Sequence, residues 1–202
     1  MNAKLVILAR TATLAALTVL MQYFGFLAGA GTVAAQWIAG PLVNMMLLIS
    51  VIYCGLIGGV AVGVVTPIIA YYLQIAPLPT PWMVPFIGLG NASLCLAFWL
   101  VCWLCSKKIN KEVSMLIGIV IAGAVKFVYL FFAVSKLVLP LLLGAGDLRL
   151  DKLAVTFGVT QLFTALVGGT LCLVVVCGLR KAKVLDAAAL LKKSKLEQVE
   201  ST

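Results

Sequence analysis

The sequence predicts an all-α integral membrane protein with six transmembrane helices. Of its 202 residues, 64% are hydrophobic and only 10% are charged, and the mean hydropathy is +1.20. Soluble domains carry about 45 to 50% apolar and about 25% charged residues, so a water-soluble globule is excluded. The apolar stretches are continuous and do not alternate with polar residues, which leaves helices as the only spanning structure.

Six apolar stretches are long enough to cross a hydrocarbon core of about 30 Å. The first could be taken for a signal peptide, but Arg10 and Gln22 interrupt it and no small-residue cleavage site precedes a soluble domain. The second and third stretches meet at Cys54-Gly55 almost without a loop. The predicted spans cover residues 5–26, 36–54, 56–73, 84–106, 114–143 and 154–178.

The basic residues predict the orientation, because cytoplasmic segments are enriched in lysine and arginine. With both termini in the cytoplasm, the outer segments hold only Arg149 and Lys152. The net charge of +9 is therefore explained by the membrane topology and gives no reason to expect nucleic acid binding. Residues 1–180 are predicted to form the transmembrane domain. Residues 181–202 are predicted to form a basic cytoplasmic tail. This tail lies on the inner membrane face, lies against a cytosolic partner, or is a short, partly frayed anchor. The inner basic residues are Lys4, Arg10, Lys107, Lys108, Lys111, Arg180, Lys181, Lys183, Lys192, Lys193 and Lys195.

The distribution of reactive side chains argues against an enzyme. The chain has no histidine, and all six acidic residues are predicted to lie in loops or in the tail, so metal sites, histidine acid–base schemes and intramembrane carboxylate pairs are disfavoured. No segment resembles a nucleotide-binding GxxxxGK[ST] loop. The Cys102 and Cys105 pair has neither a histidine nor a second pair nearby. We therefore expect the chain to bind no metal or cofactor.

Lys126 is the most informative residue, since it lies in the middle of the apolar stretch IGIVIAGAVKFVYLFFAV. A charged side chain at membrane depth costs roughly 2.5 to 3.5 kcal/mol on insertion scales, and the spans offer no acidic residue to pair with it. One hypothesis is that the ammonium lines a cavity and meets an anionic ligand. The other is a structural lysine that donates to backbone carbonyls or snorkels. For Lys136, close to the outer interface, the structural interpretation is favoured.

Uncharged polar groups near the outer ends of the spans are the remaining candidates for ligand binding. Asn91 either contacts a ligand or ties helices together, and Tyr129 shares a helical face with Lys126. If the last three spans pack together, Asn91, Lys126, Tyr129 and Gln161 converge on one cavity. Trp82 is either part of an interfacial aromatic belt or a lid.

Two outer connections and one glycine pattern complete the predictions. The segment 27–40, LAGAGTVAAQWIAG, is predicted to be a mobile lid that places Gln36 or Trp37 over the pocket, and 74–83 is a second neutral connection stiffened by prolines. In the third span, Gly55, Gly59 and Gly63 are four residues apart. This small-residue face serves either close packing within the bundle or dimerisation.

Several short motifs occur in an order that resembles the substrate-binding S component of an energy-coupling factor (ECF) transporter. They are ARTATLAALTVL in the first span, GPLVN at the start of the second, a glycine-rich third span ending in TP, and IGLGN at the start of the fourth. The resemblance covers about residues 1–180.

The resemblance implies a multi-pass subunit of a prokaryotic plasma membrane that binds a vitamin, precursor or related micronutrient in its outer half. It also implies two kinds of partner, a membrane T component and a pair of ABC-type ATPases that hydrolyse ATP. Ala12 and Ala16 match the AxxxA pattern that contacts the T component in this family, and the alternative for them is ordinary close packing within the bundle. The substrate is unassigned, and Lys126 favours a carboxylate or phosphate. Alternatives are an autonomous, possibly oligomeric, transporter or channel and, less favoured, a membrane enzyme.

Overall fold

The computed structural model describes residues 3–29, 32–76, 78, 80–105, 109–143 and 149–182, and every regular element in these ranges is helical. A π-helical segment, Phe131–Val138, separates α4 from α5. The α-helices are α1 (Ala3–Leu27), α2 (Val33–Tyr72), α3 (Met83–Cys105), α4 (Lys111–Leu130), α5 (Leu139–Leu143), α6 (Arg149–Phe157) and α7 (Val159–Lys181).

Five helical stretches of the described chain are long and apolar enough to cross a membrane. The predicted all-helical membrane architecture is therefore confirmed at this level. The count differs from the predicted six because residues 36–54 and 56–73 both fall within α2, where Gly55 alone departs from helical geometry. The five stretches are Lys4–Leu27, Ala34–Tyr72, Met83–Cys105, Lys111–Leu141 and Leu150–Lys181.

The chain reverses direction inside α2 at Gly55. Its φ of 76° and ψ of −178° lie outside the range that L side chains adopt readily. Leu47 and Gly63 are 16 residues apart, which in a continuous helix is about 24 Å at about 1.5 Å per residue. Instead, a Cβ atom built on Gly63 would lie 3.6 Å from Leu47 Cδ2. Residues 33–54 and 56–72 are therefore two antiparallel arms, called here the first and second arm.

The glycines that follow the reversal allow the two arms to approach closely. Gly59 faces Val51, and a Cβ at this position would overlap the valine side chain. Gly59 and Gly63 are both buried within the chain, whereas Gly55 is exposed. Of the two interpretations of the glycine pattern, the geometry of Gly59 and Gly63 matches packing within the bundle.

The first outer connection is shorter than predicted, because α2 begins at Val33. Thr32 is the residue before the helix, and its hydroxyl accepts a hydrogen bond from Ala35 N at 3.1 Å, a strong helix-starting arrangement. The prediction of a loop over 27–40 is therefore wrong in its second half. Trp37 lies on the helix surface, 47% exposed, with its ring centroid 6.1 Å from that of Phe163, and does not cover a pocket.

Helix α1 is the most exposed of the long helices. In its most apolar 18-residue segment only 6% is buried, whereas the corresponding share is 33 to 44% in the other four stretches. Ala12 and Ala16 are both exposed. The small-residue face that they form is therefore available for contact outside the chain.

The last two predicted spans are interrupted near their outer ends. The stretch that follows α4 continues as the π-helical segment into α5, and Lys136 lies there with its Nζ 5.3 Å from the centre of the Phe131 ring. The chain that leads into α7 breaks at Gly158, whose φ and ψ are −97° and −122°. The predicted span 154–178 lies within the membrane-spanning stretch Leu150–Lys181, in which α6 ends at Phe157 and α7 begins at Val159.

The main core lies between α2, α3, α4 and α7 and contains fully buried Leu47, Phe98 and Cys172. Gly168 of α7 lies so close to the first arm of α2 that a Cβ would overlap the carbonyl oxygen of Pro41. This approach carries Thr164, one turn earlier on α7, to the first arm. The end of the bundle that carries Lys111 and Arg180 is called the inner end below, and the opposite end the outer end.

Candidate functional site

The Lys126 ammonium is buried in the bundle and held by two neutral amide groups. Its side chain is 3% exposed. Nζ donates to Asn44 Oδ1 at 2.7 Å and to Asn91 Oδ1 at 2.9 Å. The partners of this lysine are therefore the side-chain oxygens of two asparagines and not carboxylates. We call Asn44, Asn91 and Lys126 the lysine–amide cluster.

The position of Lys126 follows from the periodicity of α4. Met115, Ile119, Ala122, Lys126 and Leu130 are buried at spacings of three or four residues, which defines one helical face turned to the core. Lys126 lies 15 residues after Lys111, about 22 Å along the helix at about 1.5 Å per residue. The lysine is thus too deep to reach the inner end.

Other parts of the fold orient the two asparagines so that both oxygens face the lysine. Asn91 Nδ2 donates to the carbonyl oxygen of Gly63 at 3.0 Å, and a Cβ on Gly63 would lie only 3.0 Å from Asn91 Cβ. A larger residue at position 63 would therefore displace Asn91. Asn44 Nδ2 donates to Thr164 Oγ1 at 3.5 Å, a long bond. With these contacts the cluster connects both arms of α2 with α3, α4 and α7.

The cluster forms one wall of a cavity of about 80 Å³ in the outer half of the bundle. At about 10 to 15 Å³ per water molecule, such a space admits a small solute or several waters. The apolar wall comes from both arms of α2, α3 and the second outer connection. The polar lining consists of Gln22, Gln36, Asn44, Asn91, Lys126 and Gln161.

Two of the glutamines that line the cavity differ in their hydrogen bonding. Gln161 Nε2 donates to the carbonyl oxygen of Thr156 at 3.0 Å, so the end of α6 fixes this amide. Gln22 Oε1 is buried and has no hydrogen-bond partner among the described residues. A buried amide oxygen without a partner costs roughly 1 to 3 kcal/mol, so it is a ready acceptor for a donor group on a ligand.

Four of the six residues predicted to bind substrate are brought together around this cavity: Gln36, Asn91, Lys126 and Gln161. The other two are not. Tyr129 packs beside the outer hydrophobic cluster that contains Met83 and Leu130, and Trp82 is 69% exposed in the second outer connection. Sharing a face with Lys126 at a spacing of three residues was not enough to direct Tyr129 into the cavity.

Asn44 and Gln22 line the cavity but were not predicted. Asn44 is the last residue of the GPLVN motif. The feature that could have revealed it is a polar amide side chain inside an apolar span. Gln22 gave the same signal near the end of the first span. In a membrane helix such residues are rare enough to be treated as candidates for a site.

The site is suited to binding a group that carries acceptor atoms or negative charge. A lysine ammonium has three N–H donors, of which the two asparagines take two. No carboxylate among the described residues offsets its charge. Of the two acidic residues that the structure describes, Glu112 pairs with Arg180 at the inner end at 3.3 Å, and Asp151 is exposed on α6.

Comparison with known proteins gives one match. A family model described as ECF transporter, substrate-specific component, matches residues 7–180, which include every residue of the cavity. Among curated proteins and among solved structures, none matches the chain.

Proposed function

We propose a function from one premise: the chain belongs to the family of substrate-specific components of ECF transporters. Such components are transporter subunits, and the described helices are those of a multi-pass membrane protein. On this basis, the outer cavity binds a small water-soluble molecule, a vitamin, a precursor or a related micronutrient. The observation that carries the proposal is the buried Lys126 ammonium, which faces a polar cavity that no described residue lines with a negative charge.

The ligand carries a carboxylate or a phosphate. The two hydrogen bonds from Lys126 to the asparagines lower the free-energy cost of burying the ammonium but do not neutralise its charge. An opposite charge on the ligand offsets the remaining cost, which a neutral ligand does not. Gln22 Oε1 accepts a hydrogen bond from a second polar group of the same molecule, so the ligand combines an anionic group with a donor.

The membrane arrangement proposed here has six spans with both termini in the cytoplasm. Each arm of α2 counts as one span, because the chain reverses at Gly55. The excess of lysine and arginine at the inner end supports the cytoplasmic side of the prokaryotic plasma membrane. In this orientation the cavity opens toward the outside, where a substrate arrives.

The partners are a membrane T component and a pair of ABC-type ATPases, and ATP is hydrolysed by the ATPases and not by this chain. Support comes from the exposed face of α1, where Ala12 and Ala16 allow another helix to approach closely. The alternative of an oligomeric transporter assembled through Gly55, Gly59 and Gly63 loses its main support, since Gly59 and Gly63 are buried within the chain.

Two measurements on the tagged chain, purified from cells that contain the transporter subunits, test the proposal. First, a T component and two ATPases should co-purify in mild detergent. Second, mass spectrometry of small molecules released by denaturation should identify one ligand with a carboxylate or phosphate. Purification of the chain as a homo-oligomer that transports solute by itself in vesicles would contradict the proposed function.

A further inference from the structure

A second cavity lies at the inner end of the bundle, separate from the substrate site. Its volume is about 460 Å³, several times that of the outer cavity. It is bordered by the reversal of α2 at Gly55, the end of α3, the start of α4 and the end of α7. None of the residues that line it takes part in the lysine–amide cluster.

The lining combines positive charge with an unsatisfied buried hydroxyl. Lys111 and Arg180 contribute the charge. The side chain of Ser114, 3% exposed, also lines the cavity, and its Oγ is buried without a hydrogen-bond partner among the described residues. A hydroxyl beside two cations is the donor set that binds a phosphate group.

The remaining wall is apolar and aromatic. The rings of Trp99 and Trp103 stack with centroids 6.2 Å apart and an interplanar angle of 11°, and Trp103 is 60% exposed on the outside of the bundle. Gly55 leaves open space, because a Cβ at this position would meet nothing within 4 Å. Tryptophan is typical of the membrane interface, so the cavity lies at the depth of lipid head groups and is continuous with the apolar surface.

We propose that this inner cavity is a binding site for an anionic phospholipid, with the phosphate between Lys111, Arg180 and Ser114 and the acyl chains along Trp99 and Trp103. Basic pockets between transmembrane helices on the cytoplasmic side are suited to anionic head groups. The first turn of α4 adds a favourable dipole, and its N-cap residue Asn110 makes no side-chain cap bond. A free phosphate would use the same polar groups but gain nothing from the apolar wall.

Glu112 allows a test in which lipid binding should become stronger instead of weaker. Its carboxylate pairs with Arg180 Nη1 at 3.3 Å, and both side chains are partly exposed. An exposed pair of this kind is weak, so a lipid phosphate can displace it. Glu112 therefore competes with the lipid, and its removal should strengthen binding.

The test is native mass spectrometry of the full chain, which is released from neutral detergent in the spectrometer. Phosphatidylglycerol, phosphatidylcholine or glycerol 3-phosphate is added beforehand, and the bound molecules are counted. We expect saturable binding of phosphatidylglycerol only. Arg180→Gln and Lys111→Gln should each weaken it about fivefold, and Ser114→Ala about threefold. Glu112→Gln should strengthen it at least about twofold, which no folding defect imitates. Lys181→Gln removes the same charge at the same end from an exposed residue outside the lining, and should change binding less than about twofold.

Three results would overturn the proposal. Equal binding of phosphatidylcholine would show a site without charge selectivity. Glycerol 3-phosphate binding as tightly as the lipid would show a soluble ligand. Unchanged lipid binding in Arg180→Gln and Ser114→Ala, together with lost association of the T component, would identify the cavity as a protein contact.

Discussion

The buried Lys126 is stabilised by two asparagine side chains, and neither of the two acidic residues in the described part of the chain contacts it. Insertion of a lysine at membrane depth costs roughly 2.5 to 3.5 kcal/mol, whereas a hydrogen bond to a charged group contributes roughly 1.5 to 3 kcal/mol. The two bonds to Asn44 and Asn91 thus offset the cost of burial to within a few kcal/mol. The empty site is stable, but its positive charge persists and remains available to a ligand.

Replacing Asn44 by aspartate tests whether that charge serves the ligand. In Asn44→Asp a carboxylate occupies the position 2.7 Å from Lys126 Nζ, so the ion pair satisfies the lysine and the thermal unfolding temperature should not fall. Affinity for the anionic ligand should fall by about tenfold or more, because the new carboxylate repels it. Titration calorimetry and thermal unfolding measure the two quantities.

The matched control is Asn110→Asp, the same substitution at the exposed N-cap of α4. It should leave ligand affinity unchanged and leave stability equal or slightly higher, since a negative charge is favourable at a helix N-terminus. Unchanged affinity in Asn44→Asp would show that Lys126 is a structural residue.

Gln22 permits a second test at this scale. Its Oε1 has no partner among the described residues, so Gln22→Met removes an unsatisfied group and should leave stability unchanged or higher. If the oxygen accepts a bond from the ligand, affinity should fall by about threefold to tenfold. A loss of stability with unchanged affinity, seen by the same two methods, would contradict the assignment.

At the scale of residues, the sequence predicted the buried lysine and its convergence with Asn91, but not its bond to Asn44. The apolar surroundings of Lys126 and the periodicity of α4 indicate that it faces the core. Its contact with Asn44 joins residues 82 positions apart in the chain, and this depends on how closely α7 and the two arms of α2 approach. Local patterns do not contain that information.

At the scale of elements, Gly55 is the residue on which the topology depends. Its φ of 76° and ψ of −178° cost an L side chain roughly 1 to 3 kcal/mol, while the space around it is empty. Gly55→Ala should therefore lower the free energy of unfolding by about that amount through backbone strain alone. Unfolding in detergent with increasing denaturant measures the change.

Gly178 provides the comparison, because it also has nothing within 4 Å of a Cβ but lies within α7 without a positive φ. Gly178→Ala should be neutral or stabilising by up to about 1 kcal/mol, as usual for a helix interior. Equal effects of the two substitutions would contradict the role assigned to the reversal.

The elements were predictable where hydrophobicity is continuous and less so at their ends. The reversal at Cys54-Gly55 was anticipated from the glycine between two apolar stretches. The early start of α2 was missed because the glycine-rich segment obscured the capping role of Thr32, which precedes Val33 and two alanines. The break at Gly158 was missed because the apolar stretch continues through it.

At the scale of the whole molecule, the two ends of the bundle have separate tasks in the proposed transporter. The cavity is at the outer end, and the exposed face of α1 carries Ala12 and Ala16 toward the inner half. Ala12→Trp should therefore prevent co-purification of the T component while leaving ligand affinity of the isolated subunit within about twofold, because bulk at a small-residue contact blocks close helix approach.

Ala124→Trp is the control, since Ala124 is an exposed alanine on α4 and presents the same added bulk away from α1. It should assemble normally. Pull-down of the tagged chain distinguishes the variants, and normal assembly of Ala12→Trp would show that the face of α1 is not the contact.

The most direct test of the central claim is the affinity of Lys126→Met for the molecule that co-purifies with the wild-type chain. Removing the ammonium deletes a charge-assisted bond of roughly 1.5 to 3 kcal/mol, so affinity should fall at least about tenfold. Asn44 and Asn91 lose a hydrogen-bond donor in this variant, which lowers its stability. The affinity is therefore measured below the unfolding temperatures of the wild type and of Lys126→Met. Lys126→Arg, which keeps the charge, should retain more affinity than Lys126→Met. Wild-type affinity in a folded Lys126→Met protein would contradict the claim that this lysine binds the substrate.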